Sequence, residues 1–312
     1  VNIVSDYTKR IQVMRIDPRT LRLFLAVCRE GTISGAARAE HLSQPSVSVA
    51  INQLERVLQT TLFTRNRQGI ELTQAGIALE MKARAVESLL HSAQEEIQLL
   101  AEDIGGPLTI GGTPGALSTT MGRFIGGFSA EHPRFKLRIL ERPDAVVQNM
   151  LRSYEIDLAI VTSGMRESNE EFREQPVLSD PFSVIVGPGN EHLGDAVQLS
   201  DLTDMHWVLP DAVGGFRKQI DALFINSDAR LPANVILSDS ILSTKAIVKH
   251  SQYITILPNE LVSTEIHAGS LRAVRIEGIN FQRKVGLLWM AERQLPPIAQ
   301  AFVDFVVSHT NP

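Results

Sequence analysis

The run HLSQPSVSVAINQLERVLQTTLFTR, residues 41–65, couples a helical pattern to a basic extended segment. Ser43 stands where an N-cap is expected, and Val47, Ala50, Ile51, Leu54 and Val57 or Leu58 recur at helical spacing. A helix over about 44–58 buries that face. Left outside are Gln44, Ser46, Ser48, Val49, Asn52, Gln53 and Arg56, most of them able to hydrogen-bond. Upstream, Asp17-Pro18 reads as a cap followed by a first-turn proline, and Leu21, Phe24, Leu25 and Cys28 form the buried stripe of a helix that Gly31 ends. A second short helix is expected over about 34–40, where Ala36 and Ala37 allow close packing, and Leu42 turns the chain into the third. A short helix, a tight turn and a helix with a polar outer face are the parts of a helix-turn-helix reader of DNA.

Downstream, LFTRNRQGIELT reads as two short strands around residues 66–69, with Arg65 and Arg67 near the tip. Such a wing reaches a flanking minor groove or phosphates. The whole chain of 312 residues carries a formal charge of −5, which argues against nucleic acid, yet the average conceals a division. Through Gly76 there are ten basic and six acidic side chains, a net of +4, which leaves −9 for the remainder. A basic head on an acidic body fits one domain that meets phosphates and one that does not.

From residue 73 to about 104 there is no proline, and apolar residues recur in two series, Leu79, Val86, Ala93, Leu100 and Ala83, Leu90, Ile97, Ile104. Interleaved, they alternate three and four, a heptad seam. A helix of that length extends about 45 Å at 1.5 Å per residue, too long to fold against a small domain. Pairing with a second copy is expected, as two recognition helices on two half-sites require. The alternative is a helix packed along its own C-terminal domain.

Beyond Gly105-Gly106-Pro107 the pattern changes. PLTIGG, FKLRILE and DLAIVT read as strands separated by helices over about 117–130 and 145–152. A second set follows in FSVIVGP, HWVLP, a helix over about 216–224, NVILS, a helix over 241–249, and ITILP. KVGLLWM and a helix over about 297–307 complete the chain. This is the βαβ rhythm of an open parallel sheet.

The order helix, GTISGAARAEHLSQPSVSVAINQLE, LFTR, LTQAG, long helix closely resembles the LysR-type transcriptional regulators. The resemblance rests on Ala36, Ala37, residues 42–48, Ile51, Leu54, Glu55, Leu62, Phe63, Arg65, Leu72, Thr73, Ala75 and Gly76. It implies that Gln44, Pro45, Ser46 and Ser48 lie in the major groove and that Arg65 and Arg67 belong to the wing; Ser43 at the cap and Asn52 on the outer face are further DNA-binding candidates. Val49 and Ala50 depart from the pattern, standing where many members carry Arg and Gln. The two sets of strands are similar to the periplasmic-binding-protein-like, two-lobed α/β effector domain of that family, through IGG before a helix, EIDLAIV and ITILP. The fold class expected is therefore α plus α/β: an N-terminal extension (1–16), a winged helix-turn-helix (17–73), a dimerising linker helix (74–105), lobe I (106–178 and 283–312) and lobe II (179–282).

A sheet of this kind binds ligands at the carboxyl ends of its strands, where helix N-termini offer free N–H groups. Thr113 and Pro114, with Leu117 further along, open the first such helix, and Thr113 is the leading candidate to meet an anionic effector. Asp144, residues 214–216 (with Gly215 and Phe216), Ser238 and Ser240 stand at comparable helix starts. Thr113 and Ser240 serve equally well as plain caps. Arg142 either enters the cleft to pair with a carboxylate or points outward as a solvated side chain.

The eight histidines include no His-x-x-x-His pair, and no Gly-x-Ser-x-Gly or phosphate-loop signature occurs, so neither an enzyme nor a metal or cofactor site is expected. Cys28 is the only cysteine and reads as a small buried hydrophobe. No apolar run is long enough for a membrane span. The expected protein is a bacterial, cytoplasmic regulator. Its expected partners are double-stranded promoter DNA, a small organic-anion effector, further copies of itself as a homodimer and homotetramer, and RNA polymerase where it activates.

Overall fold

The computed structural model of the chain describes residues 16–66, 69–164, 170–211, 215–278 and 281–310. These fall into two compact units, one reaching to Gln98 and taking in Arg152–Glu155, the other formed by Leu99–Leu151 and the chain from Ile156 onward.

The first unit opens with α1 (Pro18–Glu30), whose cap, Asp17, accepts the Arg19 N–H at 3.0 Å. Gly31 ends it in the left-handed region at φ 66°, where a side chain is strained. Then come α2 (Ile33–Ala39), capped by Thr32, and α3 (Gln44–Leu58), capped by Ser43. Phe24, Leu25, Val27, Ala36, Ala37, Val47, Ile51, Leu54 and Leu62 make the core between them. Glu40 ties α1 to its neighbour, facing Arg22 at 3.3 Å and Arg29 at 3.5 Å. Cys28 lies half-buried at the core's edge, and burial pushes its thiol up to about 12, so it stays protonated and unreactive.

The antiparallel hairpin of β1 (Phe63–Asn66) and β2 (Gly69–Leu72) is held to α3 by Glu55, whose carboxylate accepts the Leu62 N–H at 2.7 Å. Gly76 in α4 (Gln74–Ala101) closes against the same place: a Cβ there would lie 2.2 Å from the Leu62 carbonyl oxygen. Leu79 and Ala83 pack on the three-helix core, whereas Val86, Leu90, Ala93, Ile97 and Leu100 are exposed. Ile104 falls outside the predicted seam, because α4 stops at Ala101 and Asp103 reverses the backbone at φ 55°.

In the second unit, β3 (Gly105–Gly112) leads to α5 (Pro114–Glu131), then β4 (Phe135–Glu141), α6 (Asp144–Arg152) and β5 (Leu158–Thr162). β6 (Phe172–Val186) follows, and β7 (Ala196–Val197), β8 (Trp207–Leu209), α7 (Gly215–Asn226), β9 (Val235–Leu237), α8 (Ile241–Lys249), β10 (Thr255–Pro258), α9 (Ser263–His267) and β11 (Arg272–Ile276) build the second lobe. The chain returns through β12 (Gln282–Met290) and ends in α10 (Pro297–Ser308).

The strand order is β4-β3-β5-β12-β6-β11-β7, with β10 also on β6. β3 runs parallel to β4 and β5, but β12 is antiparallel to β5 and β6, so the sheet is mixed where the sequence suggested parallel. The cause is connectivity: β6 carries the chain from one lobe to the other and β12 brings it back. The first part of β6 pairs with β12, and its last residues pair with β10 and β11. One core gathers Leu108, Ile110, Phe124, Phe128, Ile160 and Phe302, and another Val184, Val186, Trp207, Phe224, Ile256 and Val274.

Candidate functional site

The first unit presents one face of α3. Pro45, Val49, Asn52 and Arg56, spaced by three and four residues, are exposed together, with Gln44, Ser46 and Gln53 exposed beside them. Ser48 is partly buried, less exposed than its expected place on the outer face implies. Ser43 is engaged as the cap: its Oγ accepts the Ser46 N–H at 3.3 Å and lies 2.7 Å from the Ser46 hydroxyl. Val49, 64% exposed, puts an apolar surface amid polar neighbours. On the hairpin, the backbone of Arg65 pairs with Ile70 and that of Asn66 with Gly69. Arg67 lies outside the described residues.

The second unit brings a different group together where its two lobes share strands. Arg283, on β12, is 2% exposed and lies directly across from Asp180 of β6, itself 2% exposed. The Arg283 guanidinium carbon is 5.8 Å from the centre of the Phe216 ring, at the start of α7. Its Nε faces the Thr162 hydroxyl, at the end of β5, at 3.4 Å. Its Nη1 and Nη2 approach within 3.3 and 3.4 Å of the point where a Gly115 Cβ would sit, which places the charge against the first turn of α5. Leu261, on the turn Asn259–Val262, closes the same point from the second lobe. Asp180 turns to that turn instead: its two oxygens accept the Glu260 N–H at 3.3 and 3.2 Å. Burial pushes the Asp180 carboxyl up to about 6, against the pull of the Glu260 N–H and of Arg283. Burial likewise brings Arg283 down to about 10, which leaves it charged at neutral pH.

Of the residues expected in this cleft, Phe216 belongs to that group, and Thr113 is the N-cap of the helix whose Gly115 faces the guanidinium. Thr113 caps α5 by position, but its hydroxyl makes no capping hydrogen bond. Pro114 is the first residue of α5, and Gly215 the first of α7; residue 214 lies outside the described residues. The remaining residues are engaged within their own elements. Leu117 is buried in the first-lobe core, a correction that follows from helical period, since the position after Ala116 turns toward Leu108 and Ile110. Arg142 is exposed and donates to the adjoining Glu141 carbonyl at 2.7 Å, the outward of its two expected orientations. Asp144 accepts from Gln148 at 2.7 Å. Ser238 bonds back to Ser240, and Ser240 caps α8 by accepting the Ser243 N–H at 3.2 Å, so both hydroxyls are occupied by local structure. Arg283, Asp180 and Thr162 were not anticipated. The available signal was a charge at each of the two places where the chain was read as crossing between lobes.

Residues 18–77 match the family model described as a bacterial regulatory helix-turn-helix protein of the lysR family, and residues 101–311 match that of the LysR substrate binding domain. The chain is 26% identical over 296 residues to the HTH-type transcriptional regulator CfxR of Cupriavidus necator, covering 94% of this chain and 91% of that one. It is 27% identical over 301 residues to the RuBisCO operon transcriptional regulator of Allochromatium vinosum, covering 95% and 97%. Among solved structures it is similar to CbnR, a LysR family transcriptional regulator, with a TM-score of 0.71 at 19% identity over 95% of this chain and all of that one. Full-length CbnR complexed with its target DNA gives 0.70 at 20% identity over 93% and 99%.

The buried Asp180 has a consequence for stability. Its carboxyl titrates near 6 in the folded chain against an ordinary 3.8, so the folded state holds this proton more tightly than the unfolded one. The stabilisation is complete below about pH 4, is lost as pH rises through 6, and does not change further; the displacement corresponds to about 3 kcal/mol. Urea unfolding followed by Trp207 and Trp289, both in the second unit, reads it directly. The stability of the wild type relative to Asp180→Asn is expected to fall by about 2–3 kcal/mol between pH 4 and 7; a difference independent of pH contradicts the assignment.

Proposed function

The chain belongs to the LysR family of transcriptional regulators, and on that premise we propose how its parts divide the work. It is a DNA-binding regulator whose occupancy of a promoter is modulated by a small effector. The exposed face of α3 is the reader, with Gln44, Pro45, Ser46 and Asn52 at base edges, Ser48 behind them, and Ser43 fixing the helix start. Val49 adds an apolar contact of the kind a thymine methyl accepts. Arg65 and Arg67 serve phosphates or a flanking minor groove from the wing. The single observation that carries this reading is the coincidence, on one helix of a helix-turn-helix, of a polar exposed row with a capped N-terminus.

The exposed stripe of α4, Val86 through Leu100, supports a homodimer in which two linker helices pair. Dimers joined through their C-terminal domains make the tetramer, with residues 17–73, 74–105 and 106 onward as reader, linker and effector domain. The effector is a small organic anion bound between lobe I and lobe II. It shifts occupancy through its differential affinity for two assembly states, not by tight binding alone. Where the outcome is activation, RNA polymerase is the further partner. The site of action is the cytoplasm.

Gln44→Ala is expected to weaken operator binding by about 1–3 kcal/mol while leaving binding to random duplex nearly unchanged, as measured by fluorescence anisotropy at fixed salt. Equal losses on the two duplexes would remove Gln44 from the reading face. Ile97→Asp places a charge in the linker seam and is expected to shift the assembly toward monomer in light scattering at micromolar concentration. An unchanged mass would assign dimerisation to another surface.

A further inference from the structure

Arg283 is the feature that the fold itself does not account for. It is a charged guanidinium, 2% exposed, and its Nη1 has no hydrogen-bond partner among the described residues. No ion pair within 4 Å joins it to Asp180, although the two occupy opposite positions on paired strands, because the Asp180 carboxylate is turned to the Glu260 N–H. A buried cation without a bonded counter-charge is costly, and such groups persist where something else supplies the partner. Phe216 and the Thr162 hydroxyl offset only part of that cost. The surroundings add positive potential. The first turn of α5, an 18-residue helix, points unpaired N–H groups and the positive end of its dipole toward the same place. Beside it the Thr113 hydroxyl makes no capping bond.

We propose that Arg283 is the anion anchor of the effector cleft, and that a carboxylate on the effector takes over from Asp180 as its counter-charge. This rests on the reading of that cleft as the effector site. The planar fork of a guanidinium matches a carboxylate in two parallel hydrogen bonds, with the first-turn N–H groups and the Thr113 hydroxyl as further donors. A single cation suits a singly charged group. The nearby cation of the second lobe, Lys245, is taken up by Glu265 at 2.7 Å and by the Leu261 carbonyl at 3.1 Å. Phe216, Leu261 and Phe182, whose ring lies 6.0 Å from that of Phe216, offer an apolar bed for the rest of the molecule. The ligand class is therefore a small monocarboxylate with an apolar body.

The test is thermal unfolding of the full chain, read by tryptophan fluorescence, against acetate and butyrate, with acetamide, chloride and inorganic phosphate at matched ionic strength. The expected result is a concentration-dependent rise in Tm with both carboxylates, larger for butyrate, and none beyond the chloride baseline with acetamide. Arg283→Met, which removes the buried charge while keeping the bulk, should raise the apparent Kd for butyrate at least tenfold. Gly115→Ala keeps the arginine but sets a methyl against the guanidinium, and should weaken butyrate several-fold. Asp180→Asn removes the competing carboxylate and should tighten it. An equal response in Arg283→Met, no carboxylate response in the wild type, or a phosphate response matching that of butyrate would overturn the proposal. Binding of promoter DNA by Arg283→Met is measured alongside. Loss of carboxylate binding with DNA binding intact concerns the anchor alone, whereas a wild-type chain that binds no DNA would overturn the regulator's reading mode and leave the anchor standing.

Discussion

The antiparallel pairing of β6 with β12 is the constraint on which the C-terminal unit depends. These are the two strands by which the chain leaves the first lobe and returns; β5, β3 and β4 follow beyond β12, β10, β11 and β7 lie on the side of β6, and β8 and β9 form a parallel pair of their own. A rung of that ladder holds two buried charges, Asp180 and Arg283. Backbone hydrogen bonds fix the strands there, so the side chains cannot withdraw to solvent. The charges are then left to find partners locally, which Asp180 does in the Glu260 N–H and Arg283 does only in part. Stability alone would favour apolar residues at such a rung.

Much of the N-terminal unit was legible because its elements are specified locally. Asp17-Pro18, Gly31 and Ser43 mark helix ends through interactions within a turn or two of themselves, and the observed caps use those residues. The buried face of α3 followed from helical period. Ser48 proved less exposed than the same rule suggests, since period places a residue on a face but does not say how much of it stays exposed. Likewise Ile104 fits the seven-residue spacing, yet Asp103 and Gly105-Gly106 end the helix first.

The C-terminal unit was legible as a succession of strands and helices and much less so as a site. Apolar strands such as LAIVT and TILP announce themselves, whereas the start of β6, FREQP, is polar and reads as loop until its partner β12 is known. β11 was missed for a related reason, because its charges alternate with short apolar residues on a strand that is only partly buried. The site residues suffered most. Helix starts were located to within about a turn, but a helix start says nothing about whether its hydroxyl is spent on capping: Ser240 spends its own and Thr113 does not. Arg283 and Thr162 meet across a separation of 121 residues, and no pattern within either segment encodes that meeting.

The two units make separate chemical demands that the charge distribution already separates, a net of +4 through Gly76 and −9 beyond it. The basic head suits phosphates, and the acidic body carries its incompletely paired positive charge, Arg283, in its interior. The most direct measurement is footprinting of the full chain on the DNA upstream of its own coding sequence, with and without butyrate. The expected result is a long, partly symmetric protected region whose extent or occupancy changes when the carboxylate is added. Protection indifferent to sequence, or absent from a folded and fully assembled chain under both conditions, would contradict it.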